Sequence, residues 1–405
     1  MAQTSAAVAV QGTCDPQFDR VRDEFEHNFS DRGEVGASVA ITFDGRTVVD
    51  LWGGVADPVS QAPWERDTVV VVWSSTKGAT ALSAHVLVDR GELDLDSPVA
   101  RYWPEFAQGG KAEIPVRMLL NHQAGVPAVR EQLPQGAFYD WELMSSALAK
   151  EIPFWTPGLQ HGYHGLTFGF LVGEVIRRVS GLTPGRFFKE EIADPLDLDF
   201  QLGLPESDEA RVSHTIPQPP PDPANLSPME RAVFTDPTSP TFLMLMNNGG
   251  YMQPGECDTR AAHAAELPST GGVSNGRGLA GLYAPLANGG AGLLSEGAIR
   301  RMSAVESAGI NATILLPTRW ALGYVKSIDN RRFGPDNSVI LSEEAFGHPG
   351  FGGSIGFADP RARMSFGYAM NKHGAGAGLN ARGQSLIDAA YQSLGRVTDA
   401  YGSWA

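Results

Sequence analysis

Apolar residues fall at helical spacing in some stretches of the chain and at strand spacing in others, with turn residues marking the breaks between them. Phe18, Val21, Phe25 and Phe29 stand three or four positions apart amid charges, a pattern that predicts an amphipathic helix. Asp15-Pro16 ahead of it supplies a capping acid and a proline suited to the first helical position. Val35 to Phe43 and Thr47 to Leu51 flank Asp44-Gly45, which is a strong hairpin signal. Thr68 to Trp73 reads as a strand running into Ser74-Ser75-Thr76-Lys77. Ala79 to Arg90 is rich in Ala and Leu and stops at Gly91, as an apolar helix does. Leu166 to Val179 and Arg277 to Ala287 are further helices, closed by Ser180-Gly181 and Asn288-Gly289-Gly290. Trp320 to Val325, Ser354 to Ala358 and Met364 to Met370 read as successive strands, the last two separated by a turn at Asp359-Pro360, and Gln384 to Leu394 as a closing helix.

Strands at both ends and helices between them suggest one antiparallel sheet shared by the two termini, with the middle forming a separate helical region. The expected boundaries are a sheet subdomain from about 15–75 and 290–400 and a helical subdomain from about 76–289, together one unit spanning 15–400. Within the helical part, Pro205 to Thr270 carries Pro217, Pro219, Pro220, Pro221, Pro223, Pro228, Pro237 and Pro240. That density excludes helix interior and central strand, so 205–270 reads as a long ordered excursion of the kind that walls or covers a site. Residues 1–14 are Ala-rich, with no Lys or Arg before their short apolar run. They lack the charged start of a secretory signal and read as a disordered leader.

Composition narrows the function classes. With 31 basic and 46 acidic side chains the net charge is −15, which opposes both nucleic acid and an anionic membrane surface as partners. No run of residues is apolar for long enough to span a bilayer. Cys14 and Cys257 are far apart and form neither a disulfide framework nor a Cys-x-x-Cys zinc motif, so both read as free thiols and the cytoplasm as the compartment. His161 and His164 have no third ligand at a familiar spacing, and neither a metal nor an organic cofactor is expected. The expected partner is a small molecule, with self-association into a homo-oligomer left open.

The sharpest chemical feature is Ser74-x-x-Lys77 at a strand-to-helix junction. A serine hydroxyl becomes a useful nucleophile only when a base takes its proton, and one helical turn brings the Lys77 amine beside it. The opening of a helix also gathers backbone N–H groups suited to an oxyanion. A second serine motif, Gly272-Val273-Ser274-Asn275-Gly276, fits Gly-x-Ser-x-Gly. It follows Pro268-Ser269-Thr270-Gly271 where a nucleophile elbow needs a strand, so Ser274 or Asn275 is better read as a helix cap.

From about Gly33 to Leu394 the chain resembles the serine β-lactamase-like superfamily and, within it, the family VIII carboxylesterases. Five segments carry the resemblance, in family order. They are Trp73 to Gly78, Gly91 to Asp96 with Tyr102 to Phe106, Leu119 to Gly125, Trp155-x-Pro157-Gly158 followed by Tyr163-His164-Gly165, and Gly347-His348-Pro349-Gly350. The resemblance implies an α+β fold of β-lactamase/transpeptidase type, an antiparallel sheet flanked by helices with a mainly helical insertion. It makes Ser74 the nucleophile, Lys77 its partner and Tyr163 the tyrosine that shares the base role. A phenol beside a cation has a lowered pKa, which would couple Tyr163 and Lys77 as one unit. Gly165 departs from the Asn often found at the third position of that triplet.

His348-Pro349-Gly350 falls where β-lactamases carry Lys-Thr-Gly. A largely neutral His holds a carboxylate poorly, so the bet moves from β-lactams to uncharged esters. Phe351 is expected on an edge strand, its backbone N–H forming an oxyanion hole with that of Ser74. His348, Gly350, Trp155, His164, Phe242, Met244 and Tyr324 are expected to border the substrate, Met246 and Met252 could join them in an adaptable pocket, and His122 braces a turn. The function expected is hydrolysis of short-chain carboxylic esters through an acyl-serine. A β-lactamase, a D-amino-acid peptidase or an acyltransferase using the same residues stands beside it, as does a non-catalytic binding protein on the same fold.

Overall fold

The structure is a computed structural model that describes residues 8–399 and 402–405, apart from 219 and 221–225. Two turns of chemistry legible in the sequence set its frame. Asp15 accepts a hydrogen bond from the Gln17 N–H at 3.0 Å and starts a short 3₁₀ turn that continues into a helix, Asp19–Ser30. The hairpin turn places Asp44 at φ 49° and Gly45 at φ 74° between β2 and β3.

In chain order the strands are β1 Gln11–Cys14, β2 Gly36–Phe43, β3 Arg46–Asp57, β4 Ala62–Pro63, β5 Val70–Val71, β6 Phe200–Leu202 and β7 Gly272–Ser274. They continue as β8 Ser307–Ile310, β9 Pro317–Trp320, β10 Val325–Lys326, β11 Phe346–Pro349, β12 Ile355–Asp359 and β13 Met364–Met370. Among the described residues ten of them form one antiparallel sheet in the order β1-β3-β2-β13-β12-β11-β10-β9-β8, with β4 paired to β3 off this path. The two ends of the chain therefore meet at the β2–β13 pair, where Val39 faces Tyr368 and Ile41 faces Phe366.

Alternation along these strands feeds two separate cores. Phe357 and Tyr368 join Phe18, Val21, Phe25, Leu386 and Tyr391 on one face, where the helices Asp19–Ser30 and Ala381–Ser393 pack together. Ala358 and Ala369 join Leu279, Leu282 and Tyr283 on the other, against the helix Gly276–Ala287 and the helical region beyond it. The helix Thr76–Asp89 runs through that second core, with Ala79, Leu82 and Leu87 fully buried. A small three-stranded sheet, β5-β7-β6, sits at its start.

Several expectations change. The expected leader 1–14 falls partly outside the described residues, at 1–7, and Gln11–Cys14 is strand β1, zipped onto β3 with Gln11 opposite Trp52 and Cys14 opposite Val49. Its backbone partners are the free edge of β3, which nothing in a leader's composition reveals. The helix Gly276–Ala287 was expected inside the helical subdomain but lies on the sheet, packed on β2, β12 and β13. Trp320 to Val325 is not one strand: β9 and β10 flank a turn in which Gly323 has φ 90°. The strand expected over Thr68 to Trp73 is only Val70–Val71. The excursion 205–270 contains short helices, Pro228–Thr235 and Pro240–Met246, each with its proline in the first turn where it costs no hydrogen bond. Among the described residues no helix is long and apolar enough to cross a membrane.

Candidate active site

Leaving β5, the chain tightens into a 3₁₀ turn, Trp73–Ser75, before the helix Thr76–Asp89. Trp73 adopts φ 48°, a left-handed conformation costly for an aromatic residue and of a kind that clusters where a side chain must be aimed. Trp73 is held there by rings on three sides, with centroids 6.0 Å from Tyr251, 5.4 Å from Phe351 and 5.7 Å from His373. Ser74 follows at the start of the helix, on the floor of a cavity of about 170 Å³.

Two groups converge on the Ser74 hydroxyl. Lys77 Nζ lies 2.9 Å from Ser74 Oγ and donates to the Ser269 carbonyl at 2.9 Å. Tyr163 Oη donates to Ser74 Oγ at 2.8 Å. Lys77 is completely buried, and desolvation holds its amine well below the ordinary lysine value. Burial pushes the Tyr163 phenol up, only partly offset by its bond to Ser74. This reverses the lowered tyrosine pKa expected from a neighbouring cation. The low-dielectric surroundings disfavour the charged form of each group, favouring the amine over the ammonium and the phenol over the phenolate.

His348 lies on β11 beside this pair, its ring 6.0 Å from that of Tyr163 and nearly parallel to it. Its Nδ1–H donates to the Pro349 carbonyl at 2.8 Å, while Nε2 is buried and without a partner among the described residues. Desolvation, with the nearby Lys77, takes its pKa down to about 3, so it is neutral at pH 7. Gly350 fits under the turn that follows because it has no Cβ. An added one would stand 2.3 Å from the Val72 carbonyl oxygen and 2.1 Å from Ser354 Oγ. Phe351 is in that turn, not on an edge strand as expected: β11 ends at Pro349 and is flanked by β10 and β12.

The cavity brings together Ser74, Tyr163, His348, Gly350, Phe351 and Met244 of the expected residues, with Met252. Trp155, His164, Phe242 and Tyr324 are elsewhere. His164 is fully buried, accepting the Val126 N–H at 3.0 Å and donating to the Gly162 carbonyl at 2.7 Å, so it folds the loop and faces no substrate. Trp155 packs on His164 and Gly162 behind the wall. Tyr324 is core, its hydroxyl bonded to the Gly78 carbonyl at 3.3 Å. Phe242 and Met246 leave the cavity to their neighbours Met244 and Leu245 on the same helix. Met229 from the proline-rich excursion also reaches in. No Asp, Glu, Lys or Arg lines the cavity among the described residues. His122 does hold a turn, at φ 63°, with its carbonyl accepting the Gly162 N–H at 3.0 Å.

Ser274 sits in a context the sequence disguised: Gly272–Ser274 is a strand, β7, running into the helix Gly276–Ala287. Its hydroxyl is nonetheless buried and donates to the Asp199 carbonyl at 2.8 Å, while Asn275 caps the helix through the Gly278 N–H at 3.0 Å. Among the described residues no cluster of His, Cys, Asp and Glu could hold a metal, and both cysteines are free. Sequence reasoning missed Ser269, whose carbonyl takes the Lys77 amine, and Trp320, stacked on Tyr163 at 5.2 Å with planes 13° apart. Ser269 is 192 positions from Lys77, and nothing in its local sequence marks it.

The chain is similar along most of its length to known proteins of one family. The model of the Beta-lactamase family matches residues 21–390. The chain is 35% identical over 380 residues to "Esterase/beta-lactamase LipL" of Mycobacterium tuberculosis, covering 90% of this chain and 83% of that protein. The solved structure of a family VIII carboxylesterase superimposes with TM-score 0.83 at 38% identity, over 95% of this chain and 100% of that one. A penicillin-binding protein homolog from Caulobacter crescentus gives TM-score 0.82 at 35% identity, over 95% and 100% of the two chains.

Proposed function

The chain belongs to the beta-lactamase family, and on that premise we propose that it is a carboxylesterase that opens uncharged short-chain esters through an acyl-enzyme on Ser74. The observation that carries this reading is the cavity over Ser74. Its walls are mainly apolar, they hold no charged side chain among the described residues, and a neutral His348 stands in the place of a cation. Such a site has nothing to compensate the desolvation of a substrate carboxylate, whereas a neutral acyl group enters at little cost. The relatives named as esterases support the same choice of reaction.

In this mechanism the Lys77 amine takes the Ser74 proton as Oγ attacks the ester carbonyl, with Tyr163 Oη donating to Oγ and relaying the proton to the departing alcohol. The N–H groups of Ser74 and Phe351 hold the tetrahedral oxyanion. Water then attacks the acyl-serine, gives its proton to the same pair and releases the acid. The Ser269 carbonyl accepts one amine N–H of Lys77, which leaves the nitrogen lone pair directed to Ser74.

The test is turnover of p-nitrophenyl acetate and butyrate compared with nitrocefin and a D-alanyl-D-alanine peptide, in the wild type and Ser74→Ala. Ester turnover that is lost in Ser74→Ala, with a fluorophosphonate adduct mapped to Ser74, is the expected result. Preferred turnover of nitrocefin or the peptide, or an adduct on Ser274, would overturn it.

A further inference from the structure

Tyr163 lies in a stretch, 160–164, that belongs to neither helix nor strand, so its backbone polar groups must find partners outside regular structure. Those of Tyr163 find them on one loop, between β8 and β9. Asn311 Oδ1 accepts the Tyr163 N–H at 3.0 Å, together with the N–H groups of Thr313 and Ile314, each at 3.0 Å. The Thr313 hydroxyl donates to the Tyr163 carbonyl at 3.0 Å, and the Ala312 N–H donates to the His161 carbonyl at 2.9 Å. Three N–H donors on one amide atom fix which end of the Asn311 side chain is the oxygen.

The other end of the same amide reaches the Tyr163 ring. Asn311 Nδ2 donates to Thr318 Oγ1 at 3.2 Å, and Thr318 Oγ1 also accepts Trp320 Nε1–H at 2.9 Å. Trp320 is the indole stacked on the Tyr163 phenol, 5.2 Å between ring centres. We propose that Asn311 is a positioning residue for the general base, clamping the Tyr163 backbone with its oxygen and, through Thr318 and Trp320, the Tyr163 ring with its nitrogen. Asn311 is fully buried and touches neither Ser74 nor the cavity, so it acts through Tyr163 alone. No other uncharged side chain of this length offers both an acceptor for the N–H groups and a donor for Thr318 without adding a methylene to a packed site. The inference rests on the reading of Tyr163 as part of the base.

The experiment compares wild type, Asn311→Ala, Asn311→Asp, Thr313→Val and Ser74→Ala, each checked for folding by circular dichroism and thermal melting. It measures kcat and KM for p-nitrophenyl butyrate and the rate of fluorophosphonate labelling of Ser74. Displacing a reacting group by about 1 Å costs on the order of 10²-fold, so Asn311→Ala should lower kcat and the labelling rate by about 10- to 10²-fold, with KM held within about threefold. Asn311→Asp keeps the acceptor for the Tyr163 N–H but loses the donor to Thr318, so it should recover part of the loss. A folded Asn311→Ala with wild-type kcat and labelling rate, a loss confined to KM, or an Asp variant no better than Ala would each overturn the proposal. If Asn311→Ala does not fold, Thr313→Val decides. It removes the hydroxyl that donates to the Tyr163 carbonyl and to Asn311 Oδ1 and leaves the Asn311 bond to the Tyr163 N–H in place, so a lowered kcat at constant KM upholds the clamp and an unchanged kcat overturns it. Undiminished ester turnover in Ser74→Ala would instead sink the esterase mechanism and leave the clamp as a structural fact.

Discussion

The amine of Lys77 sits 4.9 Å from the centre of the Tyr163 ring, and burial moves the two groups in opposite directions, the amine down and the phenol up. Both shifts favour the uncharged form of each group. Neutrality here is a property of the surroundings, set by a helix start sunk in an apolar core.

The pH dependence follows from these directions. The rate kcat/KM for a neutral ester should rise as pH passes upward through the depressed Lys77 pKa, then stay level until the phenol ionises above its ordinary value of 10.0. His164 and His348, both taken down to about 3 by desolvation, should contribute no limb near the usual 6.5. A limb that disappears when His164 or His348 is replaced, with Lys77 intact, would reject this assignment. The folded-state pKa of Lys77 lies below its unfolded value of 10.5, so the unfolded chain binds the extra proton. Stability from this group falls as pH drops from about 10.5 towards the folded pKa, and below that it is constant. The inactive Lys77→Met variant should accordingly gain in Tm relative to wild type as pH is lowered through that window.

Gly350→Ala tests the turn that carries Phe351. The new Cβ would meet the Val72 carbonyl oxygen at 2.3 Å and Ser354 Oγ at 2.1 Å, and Val72 is backbone, so the turn has to move. Overpacking of this kind costs about 1–3 kcal/mol. Loss of an oxyanion donor costs on the order of 10² in kcat. Both a lower Tm and a lower kcat are expected, measured by thermal melting and ester turnover. A variant with wild-type kcat would remove Phe351 from the mechanism.

Acyl-chain preference should respond to Gly165 and Met244 in opposite senses. A Cβ on Gly165 would come within 2.9 Å of Met244 Sδ, a flexible tip that can yield only by moving, and both residues line the cavity. Gly165→Ala should shift the optimum across a p-nitrophenyl ester series towards shorter acyl chains, and Met244→Ala towards longer ones. Identical shifts in the two variants, or none, would place the acyl chain elsewhere in the cavity.

Ser274→Ala is the control for the second serine motif. It removes a buried hydroxyl that donates to the Asp199 carbonyl and so should cost about 1 kcal/mol in denaturant unfolding while leaving kcat as it is. A loss of kcat at unchanged KM would give Ser274 a chemical role.

What was legible in the sequence was local. Ser74-x-x-Lys77 needs only one helical turn to bring its groups together, and they do meet at 2.9 Å. The hairpin at Asp44-Gly45 and the helix start at Pro16 are likewise short-range chemistry. Tyr163 was visible through the family pattern, because its own segment has no periodicity to betray it. Ser269 and Asn311 were invisible for a different reason. Their partners lie 192 and 148 positions away, and a lone polar residue in a loop looks the same whether it caps a turn or holds a base in place. His164 and Tyr324 were overread, since proximity in sequence to site residues says nothing about the side of the backbone on which a ring ends up. The strand β7 went unseen because its three residues gain their identity from β5 and β6, not from their own composition.

The closing of the sheet by β2 and β13 has a temporal side. Thr42 and Ser365, whose hydroxyls are 2.7 Å apart, are separated by 323 positions. The turn that carries Phe351 is tied down by a similarly distant contact, Ser75 to Ser354 at 3.1 Å. Contacts of such range make loop closure the slow event in folding. During synthesis Ser74 and Lys77 emerge early, within one helical turn of each other, but the wall that completes their cavity is among the last parts of the chain to be made. On the proposed mechanism, the growing chain carries Ser74 and Lys77 together long before the turn of Phe351 exists, and ester turnover waits for the C-terminal strands to dock.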